Sequence, residues 1–187
     1  MLRDLWSFQG RYRTLHLTWF AFFLSFVVWF NLAPLATTVR ADLGLTLGQI
    51  RTVAICNVAL TIPARVLIGM LLDKYGPRIT YSGILVFSAI PCLMFASAQD
   101  FNQLVISRLP LSIVGAGFVI GIRMVAEWFP PKEIGLAEGI YGGWGNFGSA
   151  FSALTMVALA GFLSFSGGFE LPTGAVLNWR GAIALTG

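Results

Sequence analysis

The chain has 187 residues, of which 57% are hydrophobic and only 11% charged, and its mean hydropathy is +0.79. That composition is too apolar for a water-soluble domain and points to an integral membrane protein. The formal charge of +4 is carried by arginines in loops and termini, without the basic stripe that a nucleic-acid partner requires.

The N-terminal arm sets Arg3, Arg11 and Arg13 against Asp4. A first apolar run spans about Leu15 to Val39. It is long enough for a bilayer, which takes about 20 helical residues, and too long for the core of a cleavable signal. Asn31 and Pro34 interrupt it; Pro34 can kink the helix, and Asn31 either faces a cavity or caps the kink. The polar loop RADLGLTLGQIRT leads to a second run, about Val53 to Leu72, with Arg65 inside it. The link DKYGPR, Asp73 to Arg78, predicts a very short turn into a third run, about Ile79 to Ala98.

A fourth run covers about Leu104 to Phe129, with Arg108 near its start and Arg123 in its second half, both read as interfacial or structural. Pro130 and Pro131 end it. A fifth run begins near Ile134 and fades near Phe165. After a loop rich in Gly, Pro and Ser, apolar residues resume at WRGAIALTG. The residues after Arg180 are too few to cross a bilayer, so five complete helices and the start of a truncated sixth are expected. Lysines and arginines favour a cytoplasmic N-terminus: Arg3, Arg11, Arg13, Lys74, Arg78 and Lys132 lie on that side, against Arg40, Arg51 and Arg180 on the other.

The fifth run contains GIYGGWGNFG, Gly139 to Gly148. In water such glycine density would disfavour a helix by up to about 1 kcal/mol per glycine. In a membrane the backbone must bond to itself, and glycines let a neighbouring helix come close. Gly135, Gly139, Gly142, Asn146, Ser149 and Ala153 share one face by their three- and four-residue steps. Trp144, Phe147 and Phe151 lie on another and suit lipid. Asn146 is therefore either a helix-packing amide bonded to a neighbour or a donor to a substrate.

Arg65 is the strongest single signal. At 1.5 Å per residue it lies about 10 Å from the cytoplasmic end of its run, too deep to snorkel easily. An arginine at a helix centre costs about 2.5–3.5 kcal/mol on insertion scales. None of the chain's acidic residues lies at matching depth. A diffusing anion in a water-filled cavity would compensate it; an acid elsewhere in a longer protein is the alternative. Phe118, in the fourth run, and Asn146 fall at similar depth. A guanidinium, an amide and a flat ring can together grip a small planar anion, the fork bonding two oxygens. Taken alone, Phe118 reads as a core or lipid-facing ring. No nucleophile–base pair, metal-ligand cluster or phosphate loop is present in the sequence, so no enzyme activity, metal or cofactor is expected. Cys56 and Cys92 read as small buried side chains, and His16 as interfacial.

These features occur in a familiar order. Gly69, Asp73, Lys74, Gly76, Pro77 and Arg78, in GMLLDKYGPR, resemble the loop motif between helices 2 and 3 of the major facilitator superfamily, where it is structural and gating. Gly142 to Gly148, GGWGNFG, is similar to the nitrate signature of the nitrate/nitrite porter family, and Gly115 to Pro131 also resembles that family. The resemblance implies an all-α membrane protein of the major facilitator fold, with residues 1–187 as an N-terminal six-helix bundle truncated in helix 6. It implies a secondary transporter of nitrate, and of nitrite, in the plasma membrane (the cell inner membrane). Arg65 and Phe118 would bind and stack on the anion, and Asn146 would bond to it. Gly69, Asp73, Gly76, Arg78, Gly139, Gly142, Gly143, Gly145 and Gly148 would be structural or gating residues. Proton symport and nitrate/nitrite exchange both stay open. The rival readings are a porter of another small or organic anion, and a membrane sensor that binds nitrate without moving it.

Overall fold

The computed structural model describes residues 7–170 and 176–187. Arg3 and Asp4 of the N-terminal arm lie outside the described residues, as does part of the loop that follows the fifth run. Among the described residues, eight α-helices run in order: α1 Gly10–Phe30, α2 Ala36–Asp42, α3 Leu47–Ala59, α4 Thr61–Ala96, α5 Phe101–Leu111, α6 Gly117–Trp128, α7 Pro131–Phe162 and α8 Trp179–Thr186. Among the described residues, the helical stretches long and apolar enough to cross a membrane are Gly10–Asp42, Leu47–Ala96, Phe101–Trp128 and Pro131–Ser166.

The second stretch crosses twice. Gly76 sits at φ 77° and ψ 167° inside α4, outside helical geometry, in a conformation that residues with a Cβ rarely adopt. Ala64 and Phe87 line one groove together with Ile68 and Ile84. Such pairing about Gly76 requires two antiparallel limbs. The turn expected at DKYGPR is therefore present, and five long helical limbs precede α8.

The crossings break at Pro34 and Pro130 as the sequence suggests, and also near Pro63 and Pro110. α1 stops at Phe30, and a 3-10 turn at Ala33–Leu35 contains Pro34, which has no N–H to continue the ladder. The second crossing breaks at Leu60, just before Pro63. The fourth has a 3-10 segment, Ser112–Ala116, immediately after Pro110. Pro130, with Phe129 extended before it, ends the fourth crossing, and Pro131 opens α7 at a position where no N–H is needed. Thr46 and Gln49 form a capping box on α3, and Asp100 caps α5 through Gln103 N at 2.8 Å.

Two apolar clusters form the core. One gathers Leu15, Phe22, Ile68, Tyr81, Ile120 and Tyr141; the other gathers Leu35, Val53, Phe95, Leu104, Met156 and Trp179. The start of α8 is pinned at the outer end of the second cluster. Asp42 Oδ2 accepts from Trp179 Nε1 at 2.8 Å, and Arg180 donates to Ala96 O at 3.0 Å. Asn178 caps α8 through Gly181 N at 2.8 Å. The Gly-, Pro- and Ser-rich loop contains a minimal antiparallel pair, β1 Phe169–Glu170 with β2 Val176–Leu177.

Candidate functional site

The broken ends of the crossings position the polar residues of the bundle. Ser112, at the α5–α6 break, holds the start of α4: its hydroxyl accepts from Leu60 N at 3.2 Å, and its carbonyl accepts from Thr61 Oγ1 at 3.0 Å. Arg65 lies one turn beyond Thr61 on α4, and Phe118 lies just past the same break, at the start of α6. One junction thus fixes the levels of both.

Arg65 is exposed, beside buried Ala64. Among the described residues its guanidinium has neither a hydrogen bond nor an ion pair, so its donors are free. Phe118 is half-buried, with its ring 5.5 Å from Phe22 and 6.2 Å from Tyr141. Asn146 is exposed on α7, and its Nδ2 donates to Gly142 O at 2.7 Å within its own helix. The amide does not clasp a neighbouring helix. No hydrogen bond or ring contact among the described residues joins Arg65, Phe118 and Asn146 directly.

The glycine stretch of α7 presents two faces. Gly145 and Gly148 are buried against α1: an added Cβ at Gly145 would overlap the Phe22 ring, and one at Gly148 would overlap the Phe23 carbonyl oxygen. At Gly135, Gly139, Gly142 and Gly143 an added Cβ would meet nothing within 4 Å. Close approach within this bundle therefore falls at Gly145 and Gly148, not on the face shared by Gly139, Gly142 and Asn146. Trp144, Phe147 and Phe151 are exposed, as expected of lipid-suited rings, and border α1 through Trp19 and Phe23.

Arg108 takes the structural of its two expected roles. It is 1% exposed, in the middle of the bundle, and the interfacial reading fails. Its Nη1 donates to Asn31 Oδ1 at 2.9 Å and its Nη2 to Trp29 O at 3.1 Å, and its guanidinium lies 4.9 Å from the Phe95 ring centroid. Asn31 in turn donates to Thr186 Oγ1 at 3.0 Å. Asn57 Nδ2 donates to Trp29 O at 3.0 Å, and Trp29 Nε1 donates to Asn57 O at 2.6 Å. Asn31, fully buried, is therefore part of a capped kink. The carbonyls at the end of α1, freed by the break before Pro34, carry the negative end of that helix dipole. They compensate Arg108 where no carboxylate does. A signal for this hub lay in the sequence: Asn31, Asn57 and Arg108 all lie in the half of their runs nearest the same side.

At the other end, Asp73 of the turn motif pairs with Arg123 of α6, which also binds Glu127 at 2.8 Å. The brace from the motif to α6 thus runs through Arg123; Arg78 has no ion pair among the described residues. Arg11 pairs with Glu133 at 2.8 Å, tying the start of α1 to α7. Cys56 and Cys92 are buried and free. Trp19 Nε1 donates to His16 Nδ1 at 3.0 Å.

Residues 18–187 match the Major Facilitator Superfamily profile. The chain is 64% identical over 201 aligned positions to the nitrate/nitrite transporter NrtP of Picosynechococcus sp., which covers all of this chain and 38% of that protein. It is 62% identical to the nitrate/nitrite transporter NrtP of Nostoc punctiforme, over all of this chain and 36% of that protein. A probable nitrate/nitrite antiporter of Thermus thermophilus is 33% identical over 91% of the chain. The chain therefore spans little more than a third of the length of these relatives. The fold also matches the crystal structure of a bacterial homolog of the human lysosomal transporter Spinster, with a TM-score of 0.72 at 20% identity, over 95% of this chain and 42% of that one. The resemblance drawn from GMLLDKYGPR and GGWGNFG holds.

Proposed function

Because this chain belongs to the Major Facilitator Superfamily, we propose that its bundle is one half of a twelve-helix secondary transporter that carries nitrate, and nitrite, by alternating access. The observation that carries this reading is Arg65: an arginine inside a membrane crossing whose donors have no partner among the described residues. Nitrate remains ionised at physiological pH, so a permanent guanidinium suits it, and a planar fork matches two of its oxygens. Support for the substrate comes from the nitrate/nitrite transporters that resemble the chain along its whole length.

In this reading Arg65 supplies charge, Phe118 a flat wall and Asn146 its amide. The open glycines Gly139, Gly142 and Gly143 allow a second bundle to slide past α7, while Gly145 and Gly148 hold α7 to α1. Gly69, Asp73, Gly76 and Arg78 shape the cytoplasmic gate. The N-terminus is cytoplasmic, in the cell inner membrane.

The test is uptake of labelled nitrate by the full-length protein in proteoliposomes. Nitrate and nitrite should compete and other small or organic anions should not; equal competition by an organic anion would replace the substrate. Uptake with and without a pH gradient separates proton symport from nitrate/nitrite exchange. Cysteine at Lys74 should resist a membrane-impermeant thiol reagent in intact cells, and ready labelling would invert the topology.

A further inference from the structure

Phe118 does not stand alone. Its ring leans on Tyr141 of α7, 6.2 Å away and 20° from parallel, and on Phe22 of α1 at 5.5 Å. Phe22 and Tyr141 themselves stack at 4.9 Å and 24°. Both supporting rings are buried, at 0% and 1% exposure, while Phe118 is only half-buried. The block therefore covers part of the Phe118 ring and leaves part uncovered.

Two glycines make room for the block. A Cβ at Gly121 would overlap the Tyr141 ring and hydroxyl, and a Cβ at Gly145 would overlap the Phe22 ring. Gly121 lies one turn along α6 from Phe118, so Tyr141 lies flat against the helix that bears the ring it supports. There the Tyr141 hydroxyl donates to Phe118 O at 3.1 Å. One side chain of the fifth crossing thus touches both the ring and the backbone of the same residue of the fourth.

We infer that Tyr141 is a positioning residue for the anion site, setting the pitch of the Phe118 ring through its hydroxyl and its stacked face, with Gly121 as the seat that admits it. The inference rests on the reading that Phe118 faces the anion. A stack of aromatic rings has shallow orientational preferences, so rings alone leave the Phe118 face free to tilt. A hydrogen bond to the backbone of the same residue fixes the distance and rotation of the supporting ring. A flat anion meeting a fixed ring binds without first ordering it.

The test uses the full-length protein in proteoliposomes, with initial nitrate uptake measured against nitrate concentration. Tyr141→Phe keeps the stacking ring and removes only the hydroxyl. It should raise KM for nitrate about 2- to 10-fold, the worth of one neutral hydrogen bond, with maximal rate, membrane abundance and melting temperature close to the parent. Phe118→Leu should raise KM by itself, and adding Tyr141→Phe to it should change KM less than about twofold, because the ring to be positioned is gone. If Phe118→Leu leaves KM unmoved, the reading of Phe118 as the anion's wall fails, and this inference with it. If Phe118→Leu raises KM while Tyr141→Phe matches the parent, the inference alone fails. It fails equally if Tyr141→Phe lowers abundance and maximal rate at constant KM, or if the two effects are independent.

Discussion

Arg65 and Arg108 both lie within apolar stretches long enough to cross a membrane, and they differ in what their donors do. Arg108 is buried, donates through Nη1 to Asn31 and through Nη2 to Trp29, and lies over the face of Phe95, while its Nε has no partner among the described residues. Arg65 is exposed, with no partner among the described residues. Both carry one positive charge in an apolar stretch, and depth alone would rank them together. The difference is local. Arg108 lies beside the broken end of α1, where carbonyls freed near a proline need donors. Arg65 lies one turn past the break at Leu60, where Ser112 already takes up Leu60 N and Thr61 Oγ1. An intramembrane arginine that reaches carbonyls freed at a helix break is consumed by them, whereas one beside a break already satisfied by other groups is left for something that arrives from outside.

Truncating both side chains tests this contrast most severely. Arg108→Leu would orphan the Asn31 carbonyl in a buried site, at about 1–3 kcal/mol, and lose the desolvated cation–π contact with Phe95. It should destabilise the full-length protein by roughly 2–4 kcal/mol, read as lower membrane abundance and melting temperature. Arg65→Leu should leave both at the parent level. Equal losses from the two would erase the distinction between a consumed and a free arginine.

Arg65→Lys sharpens the free side of the contrast. Lysine keeps the charge but offers no rigid fork. Loss of one charge-assisted bond, about 1.5–3 kcal/mol, should lower nitrate uptake at least about tenfold at normal abundance. Uptake equal to the parent would return Arg65 to a structural role.

The glycines of α7 extend the same logic to backbone. Gly148→Ala forces a methyl against the Phe23 carbonyl and should cost about 1–3 kcal/mol of stability. Gly142→Ala meets nothing within 4 Å, and its melting temperature should correspond to a change within about 0.5 kcal/mol. A Gly142→Ala variant as unstable as Gly148→Ala would show that the open face is packed in the full-length protein.

Smaller effects are expected from Asn146 and Arg123. Asn146→Ala removes one neutral donor and should weaken nitrate uptake about 2- to 10-fold, less than Arg65→Lys, with abundance unchanged. Arg123→Gln breaks the pairs with Asp73 and Glu127, whose side chains are largely solvent-exposed. Such pairs contribute about 0–1 kcal/mol, so melting should barely move.

The sequence by itself determined the class, the order of the long apolar helices, and the family. Run lengths, prolines and the motifs DKYGPR and GGWGNFG are local, and the membrane leaves helices as the means by which an open backbone can satisfy itself. Break points at Pro34 and Pro130 were equally legible, because a missing N–H acts on its own turn, whereas the breaks at Leu60 and Ser112 appeared only in the structure. The depths of Arg65, Phe118 and Asn146 could also be counted along their runs. Which donors are occupied could not, since partners of a side chain come from other helices. Only the tertiary structure decided that Arg108 is clasped and Arg65 free, that Asp73 reaches Arg123, and that Gly145 and Gly148, not Gly139 and Gly142, receive α1. Only it brought Tyr141 under Phe118. Helical periodicity assigns residues to faces, but the rotation of each helix about its axis is set by packing against its neighbours, and that rotation determines which face they meet.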